Sequence, residues 1–227
     1  MMRRSTTIVL FALAACGQQT DSTAAAGVTL PTEPFERAQA CTAAAASEVQ
    51  ALPSEADGRR PTAQLQEWAY YALQAARTRH GDALAYDQVI HQMDESAARL
   101  RSEPGFGGSR REETLAACRI AFPAASGQAA VTLPADADEA VLQCVAVARI
   151  WPALTRGNAA DFEANLAEVQ SFIEPVMGEI ERIAVARNSQ TEQEANRMFD
   201  QAFVRAIPLG RPDRVIETCR RRFGRAG

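Results

Sequence analysis

Side chains able to do metal or acid–base chemistry are scarce: the 227 residues include only two histidines, His80 and His91. Asp87, His91 and Glu95, with Asp94 beside them, are four apart, a spacing that stacks them on one face of a helix. An imidazole flanked by carboxylates is a donor set for a hard or borderline divalent cation. Tyr86, Ile90, Met93 and Ala97 line the other side, so the same residues read more simply as the solvated face of an amphipathic helix. No second helix offers a matching ligand pair, and the expectation is no metal, no cofactor and no catalytic set. No serine sits in a G-x-S-x-G turn. Gly105-Phe106-Gly107-Gly108-Ser109 lacks the lysine and spacing of a phosphate loop and follows a helical pattern, so it reads as a connection. There is no C-x-x-C.

The five cysteines are more informative. Arg3 and Arg4 precede a short apolar run, Ile8-Val9-Leu10-Phe11-Ala12-Leu13, and small residues follow, the order of a secretory signal peptide. The run is too short for a spanning helix of about 20 residues. Leu13-Ala14-Ala15-Cys16 then resembles the lipobox of bacterial lipoproteins. The resemblance covers the first 16 residues only and implies that residues 1–15 are removed and Cys16 carries lipid. It also implies, through Gly17 rather than Asp after the lipidated cysteine, the outer membrane as destination, with the inner membrane as the other possibility. Setting Cys16 aside leaves four cysteines, an even number that an oxidising periplasm would pair.

Without Arg3 and Arg4 the chain has 22 arginines against 28 acidic residues, a net charge of −6. That argues against a nucleic-acid or general polyanion binder. All basic residues are arginine and 46 residues are alanine, biases that a GC-rich genome explains. Residues 17–33 are small, polar and aperiodic, as a tether would be, and as a coil would span on the order of 20 Å.

Beyond the tether the periodicity is helical throughout. Leu65, Trp68, Ala69, Ala72, Leu73 and Ala76 form one stripe, with Pro61 suited to its first turn and Gly81 to its stop. Tyr86, Ile90, Met93, Ala97 and Leu100 form a second, ended by Pro104-Gly105. Phe162, Leu166, Val169, Ile173, Val176, Ile180 and Ile183 form a third, with a kink expected at Pro175. Ala195, Met198, Phe199, Ala202, Phe203 and Ala206 form a fourth. Only Val28-Thr29-Leu30 and Val131-Thr132-Leu133 could be extended. The fold class is all-α.

Those two short segments also open an internal repeat. Val28-Thr29-Leu30-Pro31 returns as Val131-Thr132-Leu133-Pro134, an offset of 103, and at that offset Glu36 meets Glu139 and Cys41 meets Cys144. Near the end of each copy the offset is 101: Leu115, Cys118, Arg119 and Phe122 match Ile216, Cys219, Arg220 and Phe223. We read two tandem modules of about four helices each, residues 34–125 and 126–227. If each closes on itself the disulfides are Cys41–Cys118 and Cys144–Cys219. Pairing Cys41 with Cys144 and Cys118 with Cys219 would instead staple the copies together.

The last 20 residues carry six arginines and two acids, a charge of +4. Arg220, Arg221 and Arg222 could form a patch for phosphates of lipid headgroups or for an acidic partner. The plainer reading is that they complement a helix dipole and keep the end soluble. Among the aromatics, Trp68 is expected in the core, Tyr70 and Tyr71 partly exposed, and Trp151 as a possible lining of a cleft. Three function classes are open. The first is a non-catalytic envelope lipoprotein, held to the membrane by its lipid, whose helices bind another envelope protein. The second is a periplasm-facing binder of a small apolar ligand, held near Phe162, Ile173, Met198 and Phe203. A metal-dependent enzyme has the least support.

Overall fold

The computed structural model describes residues 28–51, 62–85, 87–89, 91–92, 95, 109–154, 159–189 and 191–224. The signal segment, Cys16, most of the tether, Tyr86, Ile90, Met93, Asp94 and the glycine-rich stretch before Ser109 lie outside them. Among the described residues seven α-helices are complete enough to delimit: α1 (Pro34–Ala51), α2 (Thr62–His80), α3 (Ser109–Ala121), α4 (Ala137–Leu154), α5 (Ala159–Ala186), α6 (Glu192–Ala206) and α7 (Pro212–Phe223). Helical backbone also occurs at 87–89 and 91–92, and the described residues contain no strand. Val28–Leu30 and Val131–Leu133 run outside regular structure.

The helix ends follow from local chemistry. The Glu33 carboxylate accepts from the Glu36 amide at 2.7 Å, and Pro34 opens α1 where a missing N–H costs nothing. At the offset of 103 the Asp136 carboxylate accepts from the Glu139 amide at 2.8 Å and opens α4. α1 and α4 therefore start at the sequence offset of 103. Thr191 and Glu194 form a reciprocal capping box at the head of α6. α5 stops where Asn188 turns left-handed (φ 55°) and the Ser189 amide donates to the Ala184 carbonyl. α5 is unbroken across Pro175, which sits on its exposed side.

α2 is the centre of the molecule. From Ala69 to Ala76 every residue is buried, and Gln66 and Glu67 with them, so it is enclosed rather than amphipathic. Tyr70 and Tyr71 are therefore buried, at 4% and 0% exposure, not the half-exposed pair expected from the stripe. The stripe identified one face only. The tyrosines lie on another, which packs on Cys41, Ala44, Ala45, Leu115 and Cys118. α1 makes its main packing against α2, and both helices carry wholly buried alanines, Ala38, Ala44, Ala72, Ala75 and Ala76 among them.

Two apolar clusters result. The smaller is built on Cys41–Cys118, with Tyr71 and Phe122 edge to face at 5.7 Å. The larger joins α4, α5, α6 and α7 to Ala69, Ala72, Leu73, Ala76, Leu84 and Val89, so the apolar core is continuous across residue 126. Half-buried Trp68 touches both clusters, and Trp151 is inside the larger. A buried hydrogen bond from Gln74 Nε2 to the Ile207 carbonyl (3.3 Å) fixes α2 to the turn between α6 and α7. At the junction Gly127 has φ +68°, and the Arg211 guanidinium lies where a Cβ would be, 2.7 Å from its ideal position.

Candidate functional site

The disulfides are Cys41–Cys118 and Cys144–Cys219, with Cα separations of 5.6 and 5.7 Å. Each joins the first helix of its half to the last, and all four cysteines are almost completely buried. The loops they close are 77 and 75 residues long. The stapled alternative is not formed. These four account for every cysteine but Cys16.

Beside the first disulfide lies a buried polar network. Glu67 is 5% exposed; its carboxylate takes two hydrogen bonds from Arg119, Nε to Oε1 and Nη2 to Oε2, both 2.9 Å, and one from the Tyr71 hydroxyl at 3.0 Å. Glu48 lies 3.8 Å from the same guanidinium. Burial first, and the Glu67 charge second, push the Tyr71 phenol far above its ordinary value, so it is a neutral donor. A two-pronged guanidinium–carboxylate pair, closed by a phenol, joins α3 to α2. Sequence reasoning found Arg119 through the repeat but missed its partners. The signal was present: Glu67 and Tyr71 are i, i+4 neighbours that both leave the Leu65–Ala76 stripe.

In the second half a different acid, the counterpart of Glu36, joins the helices. Glu139 accepts from Arg205 (Nε to Oε1, 2.6 Å), from Gln143 (2.8 Å) and, at 3.5 Å, from Arg187, joining α4 to α6 and to the end of α5. Burial alone would raise its carboxyl, but the hydrogen bonds from Arg205 and Gln143 and the Arg205 charge hold it below the usual range. Arg182 ties α5 to Asp138 and Glu179 in the same way.

The histidine cluster is an ion-pair chain at the surface. His91 Nε2 lies 3.2 Å from Glu95, the imidazole is 74% exposed, and Arg79 approaches Glu95 from the other side at 3.3 Å. A guanidinium already holds the carboxylate a metal would need. Asp87 is exposed and near enough to Asp200 to oppose its ionisation, and burial is the larger cause of the upward shift at Asp200. Among the described residues no group of three or more His, Cys, Asp or Glu is arranged for a metal ion. Of the residues named for an apolar ligand, Met198 and Phe203 are core members and Ile173 packs against them; the Phe162 side chain lies outside the described set.

On α7, Arg211 pairs with Asp213 and Arg214 with Glu217. Arg221 meets the Thr218 hydroxyl at 3.2 Å. Arg222 donates to the Pro134 carbonyl at 2.8 Å and lies over the Phe223 ring. Arg220, Arg221 and Arg222 are all exposed. No described helix is long and apolar enough to cross a membrane. Comparison with protein-family models, curated proteins and solved structures finds no match.

Proposed function

We propose that the chain is the precursor of a lipid-anchored lipoprotein of the bacterial envelope, whose helical body is a non-catalytic interaction scaffold. The cysteine accounting carries this reading. Two disulfides use four of five cysteines, and the fifth is Cys16, which ends the lipobox-like Leu13-Ala14-Ala15-Cys16. Paired, buried cysteines suit an oxidising compartment, and the sequence start supplies the route to it.

The body is read as a duplication of one disulfide-closed helical module. The matching starts of α1 and α4, their acidic caps at Glu33 and Asp136 and the near-equal disulfide loops support it. The polar groups best placed for chemistry are committed to holding helices together, Glu67 to Arg119 and Glu139 to Arg205, which favours binding over catalysis. The test is metabolic labelling with a fatty-acid analogue in an envelope-bearing host. Label in the envelope fraction, abolished by Cys16→Ser, is expected; a soluble, unlabelled parent protein would overturn the reading.

A further inference from the structure

The repeat acts as an internal control on the basic end of α7. At the offset of 101, Arg220-Arg221-Arg222 align with Arg119-Ile120-Ala121, the last turn of α3. Both helices end a disulfide-closed half, and both carry a cysteine one residue before the aligned arginine. α3 has one basic residue in its last turn, Arg119, and Glu67 holds it. α7 has three. The sister helix therefore has a counterpart for Arg220 and none for Arg221 or Arg222. The position of Arg221 is occupied in the sister helix by Ile120, 81% exposed, so the fold makes no demand for charge there.

Neither Arg221 nor Arg222 forms an ion pair among the described residues. The two acids of α7 are each taken by an arginine one turn or less away, Asp213 by Arg211 and Glu217 by Arg214. The contacts of Arg221 and Arg222 among the described residues are to neutral groups: the Thr218 hydroxyl, the Pro134 carbonyl and the Phe223 ring. The Pro134 contact uses one of the five N–H donors of Arg222 and pins its guanidinium at the surface. A cationic end thus stands out on a chain whose net charge is negative.

We propose that the last turn of α7, Arg220 to Arg222, is a docking surface for the phosphates of an anionic phospholipid membrane. This rests on the lipoprotein reading for its biological setting: a 17-residue tether keeps the body within reach of the bilayer that holds the lipid. An effective concentration on the order of mM then lets a weak surface act. Guanidinium groups suit phosphate oxygens through paired N–H donors. Each arginine close to an anionic bilayer contributes about fivefold in partitioning.

The experiment uses the chain from residue 16 with Cys16→Ser and both disulfides formed, so vesicle binding is measured apart from lipidation. It is sedimented with phosphatidylglycerol-containing vesicles and with pure phosphatidylcholine vesicles, at low and at physiological salt. Binding only to the anionic vesicles, weakened by salt, is expected. Arg221→Glu should cost at least about fivefold, and Arg221→Gln/Arg222→Gln about twenty-fivefold. Arg221→Glu is the safeguard against misfolding, because its sister position is an exposed isoleucine. Equal binding of parent and variants, no anionic binding by the parent at low salt, or a response to inorganic phosphate alone without vesicle binding would each overturn the proposal. Unmodified Cys16 in the native protein would overturn the lipoprotein reading and leave the vesicle result intact.

Discussion

Replacing Arg119 by alanine removes the cation that faces Glu67, a carboxylate whose side chain is 6% exposed. Glu67 would keep the Tyr71 hydroxyl at 3.0 Å but lose both 2.9 Å guanidinium bonds. Deleting one partner of a fully buried pair costs about 3–5 kcal/mol, because the remaining charge is stranded. The Arg119 side chain is 44% exposed, so water can enter where it stood and the cost falls below that range, to about 2–3 kcal/mol. Glu67→Gln should cost less, about 1–2 kcal/mol, since the freed guanidinium can turn to water or to Glu48. The double variant should be less destabilised than the two costs added, by at least about 1 kcal/mol. Urea unfolding followed by circular dichroism, with the disulfides intact, measures all four proteins. An Arg119→Ala loss below about 0.5 kcal/mol, or strict additivity, would refute the claim that this network locks α3 to α2.

Five further outcomes follow from the same structure. Opening either disulfide by Cys41→Ala/Cys118→Ala or Cys144→Ala/Cys219→Ala should destabilise by similar amounts. Loops of 77 and 75 residues each correspond to about 4.5 kcal/mol in the chain-entropy model, with about 2–4 usually delivered; a non-reduced peptide linking Cys41 to Cys144 would contradict the pairing. Tyr71 stays protonated in the folded chain above the pH near 10 at which an unfolded tyrosine ionises. Stability should therefore hold below that pH and fall above it by about 1.4 kcal/mol per pH unit for this group, and Tyr71→Phe should flatten that limb. Glu139 is lowered in the folded chain, so its contribution is present above the unfolded carboxylate range and lost as pH falls through the lowered value; acid unfolding of Glu139→Gln should be shallower than that of the parent. Gly127→Ala, at φ +68° and against the Arg211 guanidinium, should destabilise by about 1 kcal/mol or more. Gly178→Ala, within α5 and facing open space, should stabilise by up to about 1 kcal/mol in the same thermal melt.

How far each feature could be read from the sequence depended on whether its cause was local or repeated. The helices of the second half were legible because Val169, Ile173, Val176, Ile180 and Ile183 repeat at helical spacing and face one core. The disulfides were legible only through the repeat, which turned three possible pairings into one expectation. α2 was half legible. Its stripe gave the face toward Leu73 and Ala76, but Tyr70 and Tyr71 are buried because α1 and α3 cover a second face, a fact no single-helix pattern contains. The Glu67–Arg119 bond joins residues 52 apart, and Glu139–Arg205 joins residues 66 apart. Such partners are chosen by packing, and the sequence shows only that each side chain is available. α5 continues as helix through Pro175, which lies on its exposed face.

The central claim concerns Cys16, and the mature N-terminus tests it most directly. Intact mass spectrometry of the protein isolated from its native envelope should show a chain beginning at Cys16, with diacylglycerol on the thiol and both internal disulfides formed. A chain that begins elsewhere, or a Cys16 carrying a free thiol, would contradict the account.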